Sequence, residues 1–229
     1  VSRPCFLGIE TSGVTTGVAL GDADVVLFEE SLGSGASHDE LLLPLLDKAL
    51  KATGTRLAGL AGIGVTIGPG MFSALRVGLS VAKGLAVAHD LPVKGINALW
   101  ALAQAAGSSG RPVLAVVDAR KSQVYAAMYR DAEPLIEPAV LAPSELADRV
   151  RQRVAGPLVV AGNAAALCAD ALRHAGVDLV ASGIAAPPPR VIAQAAARAL
   201  ATGPGDDIET LEPLYLRRTD AELNRERRA

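Results

Sequence analysis

The sequence predicts an α/β protein made of two architecturally similar halves. Short apolar runs alternate with helix-length segments along the whole chain. Each half opens on consecutive strand-like runs and continues with helices and a further strand. Gly107-Ser108-Ser109-Gly110 reads as the linker between them. Alternation of this kind stacks helices on mixed sheets, and consecutive strands joined by tight turns form hairpins.

In the first half, Phe6 to Ile9, Thr16 to Leu20 and Val25 to Phe28 read as three antiparallel strands, with Gly21-Asp22 in a turn. The loop from Gly33 to Ser37 leads into a helix. Ser37 and Glu40 have capping-box spacing, and Asp39 and Glu40 suit the positive end of the helix dipole. Pro44 either kinks this helix or marks the start of its regular part, and Gly54 ends it. Leu60 to Ile67 reads as a buried strand, followed by Gly68-Pro69-Gly70 and a helix from Ser73 to about His89. Val93 to Gly95 is extended, and Ala98 to Ala106 is helical.

The second half repeats the logic. Val113 to Val117, Val124 to Tyr129 and Ile136 to Leu141 read as strands, the first ending at Asp118-Ala119-Arg120. Ser144 caps a helix, Leu158 to Ala161 is a strand, and Ala164 to Ala175 is a helix. Pro187-Pro188-Pro189 is a rigid connector before an Ala-rich helix reaching about Ala201. The expected lobes are 1–106 and 111–229, with the last helix and the tail packing back on the first. Two stacked ribonuclease-H-like subdomains fit this order.

Composition narrows the function. The chain has 229 residues, half of them hydrophobic, a net charge of −2 and 3% aromatics. That supports a sizeable core but argues against a broad basic or stacking surface for nucleic acid. Cys5 and Cys168 lie in apolar stretches and read as reduced core thiols. No run approaches the roughly 20 apolar residues that span a membrane, and Glu10 to Ser12 interrupt the N-terminal apolar run too early for a secretory signal. A cytoplasmic protein is expected.

The candidate sites are few. Glu10, Thr11 and Ser12 end the first strand; they either satisfy turn backbone groups or meet a phosphate. Gly68 and Gly70, between strand and helix, could admit an anion or simply serve the turn. No Lys-Ser/Thr pair follows, so this is no Walker loop. The histidines are His38, His89 and His174. Residues four after His38 and His89 are Leu42 and Val93, so no metal-binding pair shares a helix face there. His-Glu-x-x-His and Gly-x-Ser-x-Gly are both missing; no metal and no catalytic residue is expected. Asp118 and Arg120 would either close the lobes as an ion pair or line a cleft. The arginine-rich tail, Arg217, Arg218, Arg225, Arg227 and Arg228 against Asp220, Glu222 and Glu226, reads as a solvated end.

Two helices carry more apolar surface than one sheet face requires. Leu42, Leu45, Leu46 and Ala49 form one stripe, widened by Leu43 and Leu50. Ala74, Gly78, Ala82 and Ala86 recur every four residues, with Leu75 and Leu79 beside them. Leu42, Leu45, Leu46, Ala49, Ala74, Leu75, Gly78, Leu79 and Ala82 either are all internal core or include an interface in which two helix pairs form a bundle; the interface is the expectation carried forward, on the resemblance given next.

Ile9-Glu10-Thr11-Ser12, Gly68-Pro69-Gly70-Met71-Phe72-Ser73-Ala74-Leu75-Arg76-Val77-Gly78, Ala82-Lys83-Gly84-Leu85-Ala86, Asp118-Ala119-Arg120, Val124-Tyr125 and Pro213-Leu214-Tyr215-Leu216-Arg217 occur in the order of the TsaB (YeaZ) family, which the chain resembles over nearly its whole length. The resemblance implies an actin-like ATPase fold. It implies a non-catalytic relative of the transferase TsaD, which acts on adenosine 37 of ANN-decoding tRNAs. Partners so implied are TsaD, the ATPase TsaE in a ternary complex, a second copy through the same helices, and tRNA only indirectly. No cofactor is expected, although Glu10, Thr11, Ser12, Gly68 and Gly70 would be a vestigial ATP or ADP site. The family usually has Asp where this chain has Glu10, whose carboxylate is displaced by about 1.5 Å, a large change for Mg²⁺ coordination. The alternative is an ATP-binding or ATP-hydrolysing enzyme of the actin-like superfamily.

Overall fold

The computed structural model describes residues 3–33, 35–107 and 110–217, and these form two five-stranded mixed sheets with helices. Ser34, Ser108, Ser109 and the tail beyond Arg217, with the arginines and acids expected there, lie outside the described residues. β1 (Cys5–Glu10), β2 (Thr16–Gly21) and β3 (Val26–Leu32) make an antiparallel meander. β4 (Leu60–Gly68) joins β1 in parallel, and β5 (Val93–Asn97) joins β4, so the order is β3-β2-β1-β4-β5. The helices α1 (His38–Thr53) and α2 (Phe72–His89) make the crossovers, and α3 (Ala98–Ala106) leads onward.

The second sheet repeats this plan. β6 (Val113–Asp118), β7 (Val124–Arg130) and β8 (Glu133–Leu141) form the meander. β9 (Leu158–Ala161) and β10 (Leu179–Ala181) add in parallel beyond β6, giving β10-β9-β6-β7-β8. The crossovers are α4 (Pro143–Arg151) and α5 (Ala165–His174), and α6 (Pro189–Thr202) ends the regular structure. Each sheet thus has the same strand sequence, as the alternation of elements predicts.

Local chemistry explains the ends. Glu40 Oε2 accepts the Ser37 amide at 3.2 Å, and Gly54 closes α1 with φ 66°. Pro44 sits inside α1 but on its exposed side, so the helix continues through it. Ser144 is not the cap expected of it. Ala142 is the cap and Pro143 the first helical residue, because proline's fixed φ suits that position. β10 has no counterpart in the sequence reading: its apolar run, Leu179-Val180-Ala181, is only three residues long and none of them is buried.

The helix stripes need a larger correction. Leu42, Leu45, Leu46, Ala49, Leu79 and Ala82 all belong to the core cluster beneath the first sheet. Ala74 and Leu75 are each 1% exposed, and Gly78 is also buried. These nine residues face their own sheet, not a partner. Leu42, Leu45, Leu46 and Ala49 are used up by the sheet, while Leu43, which widens the stripe, stays 54% exposed.

The opposite face of the same sheet carries α6. A Cβ on Gly8 would lie 2.4 Å from the Pro189 carbonyl oxygen, on Gly17 2.4 Å from Pro189 Cγ, and on Gly64 2.5 Å from the Ile192 carbonyl oxygen. Gly8 and Gly64 are register partners. Glycine on adjoining strands lets the helix backbone approach the sheet far closer than side chains would allow.

Candidate functional site

Glu10 ends β1 with its side chain 1% exposed. Its Oε1 accepts the Ser12 amide at 2.7 Å and the Ser12 hydroxyl at 2.5 Å. Oε2 is buried without a hydrogen-bond partner. Loss of water pushes the carboxyl up to about 7, and the Ser12 groups oppose that shift without cancelling it. Thr66 pulls in the same direction as Ser12; its hydroxyl is 3.5 Å from the Ile9 carbonyl oxygen and it accepts the Thr11 amide at 3.3 Å.

Thr11 is fully buried, and its hydroxyl donates to the Ala74 carbonyl in the first turn of α2 at 2.9 Å. A Cβ on Gly78 would lie 2.3 Å from Thr11 Oγ1. The Ser12 carbonyl accepts the Met71 amide at 2.8 Å, and a Cβ on Gly70 would be 2.2 Å from that same oxygen. Gly68 has φ 110°, with the Leu214 carbonyl oxygen 3.2 Å from where its Cβ would stand. The five residues read as a phosphate site do come together. Their contacts are with one another, with α2, with Thr66 and with the chain at Leu214: the Thr11 hydroxyl holds a helix carbonyl, and Gly70 packs closely on Ser12.

Beside this closed knot lies a cleft of about 480 Å³, lined by Gly70, Met71, Phe72, the 118–121 turn, Tyr125, Leu214, Tyr215 and Arg217. Arg120, Lys121 and Ser122 have φ of 62°, 52° and 56°, a left-handed run that non-glycine residues rarely adopt. Asp118 Oδ1 accepts the Arg120 amide at 2.7 Å, and Arg217 Nη1 donates to the Ala119 carbonyl at 2.8 Å. Asp118 and Arg120 approach to 3.8 Å, but inside one turn, with the Arg120 side chain 76% exposed. They do not clamp the sheets together; Arg217 makes the crossing contact.

Sequence reading missed the aromatic corner of this cleft. Phe72 and Tyr215 stack with centroids 5.0 Å apart. The Arg76 guanidinium lies 4.0 Å from the Phe72 ring centre, and its Nε donates to the Tyr215 hydroxyl at 3.0 Å. Both rings occur in the quoted motifs, but spacing along the chain says nothing of residues this far apart meeting.

Other candidates stay structural. His38 Nδ1 is 2.8 Å from the Thr16 hydroxyl, and no cluster of metal-ligating side chains occurs among the described residues. Cys5 and Cys168 are buried and unpaired, and burial raises both thiols, Cys168 to about 11. No helix of the described residues is long and apolar enough to cross a membrane.

Comparison with known proteins gives a consistent pattern. Residues 34–225 match the family model described as TsaD, tRNA N6-adenosine threonylcarbamoyltransferase. The Escherichia coli tRNA threonylcarbamoyladenosine biosynthesis protein TsaB is 30% identical over 93% of this chain and 94% of its own length. The solved structure of YeaZ from Pseudomonas aeruginosa is similar at 28% identity and TM-score 0.78, covering 93% of this chain and all of that one. A second Pseudomonas aeruginosa structure, described as similar to peptidase YeaZ, has 27% identity and TM-score 0.77, over 94% of this chain and all of that one. At the level of fold alone, component A of an Acidaminococcus fermentans 2-hydroxyglutaryl-CoA dehydratase has TM-score 0.55 at 11% identity, over 87% of this chain and 100% of its own. The fold is that of the actin-like ATPases.

Proposed function

Because the chain belongs to the TsaB (YeaZ) family, we propose that it is a non-catalytic assembly subunit of tRNA threonylcarbamoyladenosine biosynthesis. In this reading it binds a TsaD-type transferase, holds it in a competent state and helps recruit TsaE in the cytoplasm. The chemistry on tRNA belongs to the transferase. The first lobe, 1–106 together with α6, is the docking half, and residues from 111 up to α6 form the second.

The observation that carries the reading is the outer face of α2. Gly84, Val87 and Ala88 are exposed there, Val87 at 74%, and nothing lies within 4 Å of where a Gly84 Cβ would stand. Leu43 on α1 is 54% exposed. Small residues beside a large apolar one let a second helix approach closely. The inward row at Ala74, Gly78 and Ala82 is already filled; the outward one is open. A second copy of the chain would compete for the same face.

The expected outcome is that Gly84→Glu and Val87→Glu abolish co-purification with the TsaD-type partner while the melting temperature is retained. Full co-purification of both variants removes the docking reading. The competing enzyme reading draws no support from Glu10 and Thr11, whose polar groups are enclosed by the chain itself. Heat on mixing ATP and Mg²⁺ that Thr11→Ala removes, in a variant that still folds, would restore it.

A further inference from the structure

The whole chain has three Phe, three Tyr and one Trp. Three of these rings, Phe72, Tyr125 and Tyr215, line the one cleft, together with Arg120, Lys121 and Arg217. Arg76 borders it through its contacts with Phe72 and Tyr215. Although stacked, Phe72 and Tyr215 remain 42% and 40% exposed. A groove of about 260 Å³ continues from Arg76 and Tyr215 past Ser80 to Lys83. The acids lining these two spaces are Asp118 and Glu212, against five basic residues. Asp118 is already engaged by its own turn. On a chain with net charge −2, this is a concentrated basic and aromatic track.

We propose that the cleft and groove bind a short single-stranded nucleic-acid segment, with one unpaired base extending the Phe72–Tyr215 stack and flanking phosphates on Arg76 and Arg120. Exposed rings stack on any base, and a basic groove beside them follows the backbone. Guanidinium groups pair with phosphate oxygens in planar, charge-assisted geometry. A duplex keeps its bases stacked and offers nothing to the rings. A free nucleotide reaches the stack but leaves the groove toward Lys83 empty. The reading goes beyond assembly with a transferase and stands on different residues of α2, Phe72, Arg76 and Lys83 and not Gly84 and Val87.

Fluorescence anisotropy of a labelled single-stranded RNA oligomer, titrated with the full chain at several salt concentrations, tests it. Saturable binding is expected. Phe72→Ala weakens it by at least about fivefold, the low end of what one stacked base contributes. Arg120→Ala lowers the slope of log affinity against log salt by about 0.7, the value for one phosphate on a single strand. Neither ATP nor a duplex of the same sequence competes at equal nucleotide concentration. Absence of saturable binding overturns the proposal, as does equal competition by ATP or duplex. Should Phe72→Ala lower the melting temperature markedly, Arg120→Glu decides instead: its side chain is 76% exposed, and unchanged affinity in that variant overturns the proposal. Partner co-purification is unaffected by either result, so the two readings fail separately.

Discussion

Glu10 takes its charge state from where β1 ends. The carboxyl is enclosed, one oxygen holds both polar groups of Ser12, and the other has no donor. Burial raises its pKa from the ordinary 4.5 to about 7. A folded-state pKa above the unfolded one means that this group favours folding fully below the unfolded value, and that the contribution is lost as pH rises through about 7. Glu10→Gln removes the titration while keeping the size and an acceptor for Ser12. Thermal melts across that range are expected to show the parent chain losing stability relative to Glu10→Gln as pH rises, with the two closest at mildly acidic pH. Parallel curves would mean the carboxyl keeps an ordinary pKa in the folded chain.

At the scale of elements, glycine has opposite meanings on the two faces of the first sheet. Gly64 lies under α6, where a Cβ would be 2.5 Å from the Ile192 carbonyl oxygen and 2.9 Å from Ala196 Cβ. Backbone cannot yield as a side-chain tip does, so Gly64→Ala is expected to cost about 1–3 kcal/mol, the range for overpacking. Gly84 sits mid-helix on the outer side of α2 with open space around it. Gly84→Ala is expected to gain roughly 0.5–1 kcal/mol from helix propensity alone. Urea denaturation of the two variants measures both, and the signs should differ. A neutral Gly64→Ala would show that α6 can lift off the sheet without loss.

For the whole molecule, the two sheets are linked by α3, by α6 and by the segment after it. Asp206 accepts the Gly95 amide at 2.8 Å and pairs with Lys94 at 2.5 Å. Leu211 is buried in the first core, and the Leu214 amide donates to the Ile67 carbonyl at 2.7 Å. Arg217 then reaches the second sheet's turn at Ala119. That turn holds three consecutive left-handed residues, a conformation that survives only when its surroundings enforce it. Arg217→Ala is expected to speed amide exchange at residues 120–123 while lowering global stability by about 1 kcal/mol, the net worth of one hydrogen bond. Unchanged exchange there would show that the turn keeps its geometry without Arg217, through Asp118 and its own backbone bonds.

The sequence by itself determined the two-fold α/β plan, the starts and stops of most elements and the buried cysteines. These depend on the period of apolar residues and on short-range capping and turn chemistry, such as Ser37 with Glu40 and the αL residue Gly54. It also marked Glu10 to Ser12 and Gly68 to Gly70 as one place, through motifs the family shares. Which face a residue serves was decided only by tertiary packing. The Leu42–Ala49 stripe and the Ala74–Gly78–Ala82 row look like spare surface until the sheet closes on them, and Gly84 looks like its neighbours until the space around it is seen. The meeting of Phe72 with Tyr215, and of Arg217 with Ala119, joins residues about 100 or more positions apart. No periodicity reports such a contact, because it forms only when the segment after α6 folds back along the first sheet and on to the turn of the second.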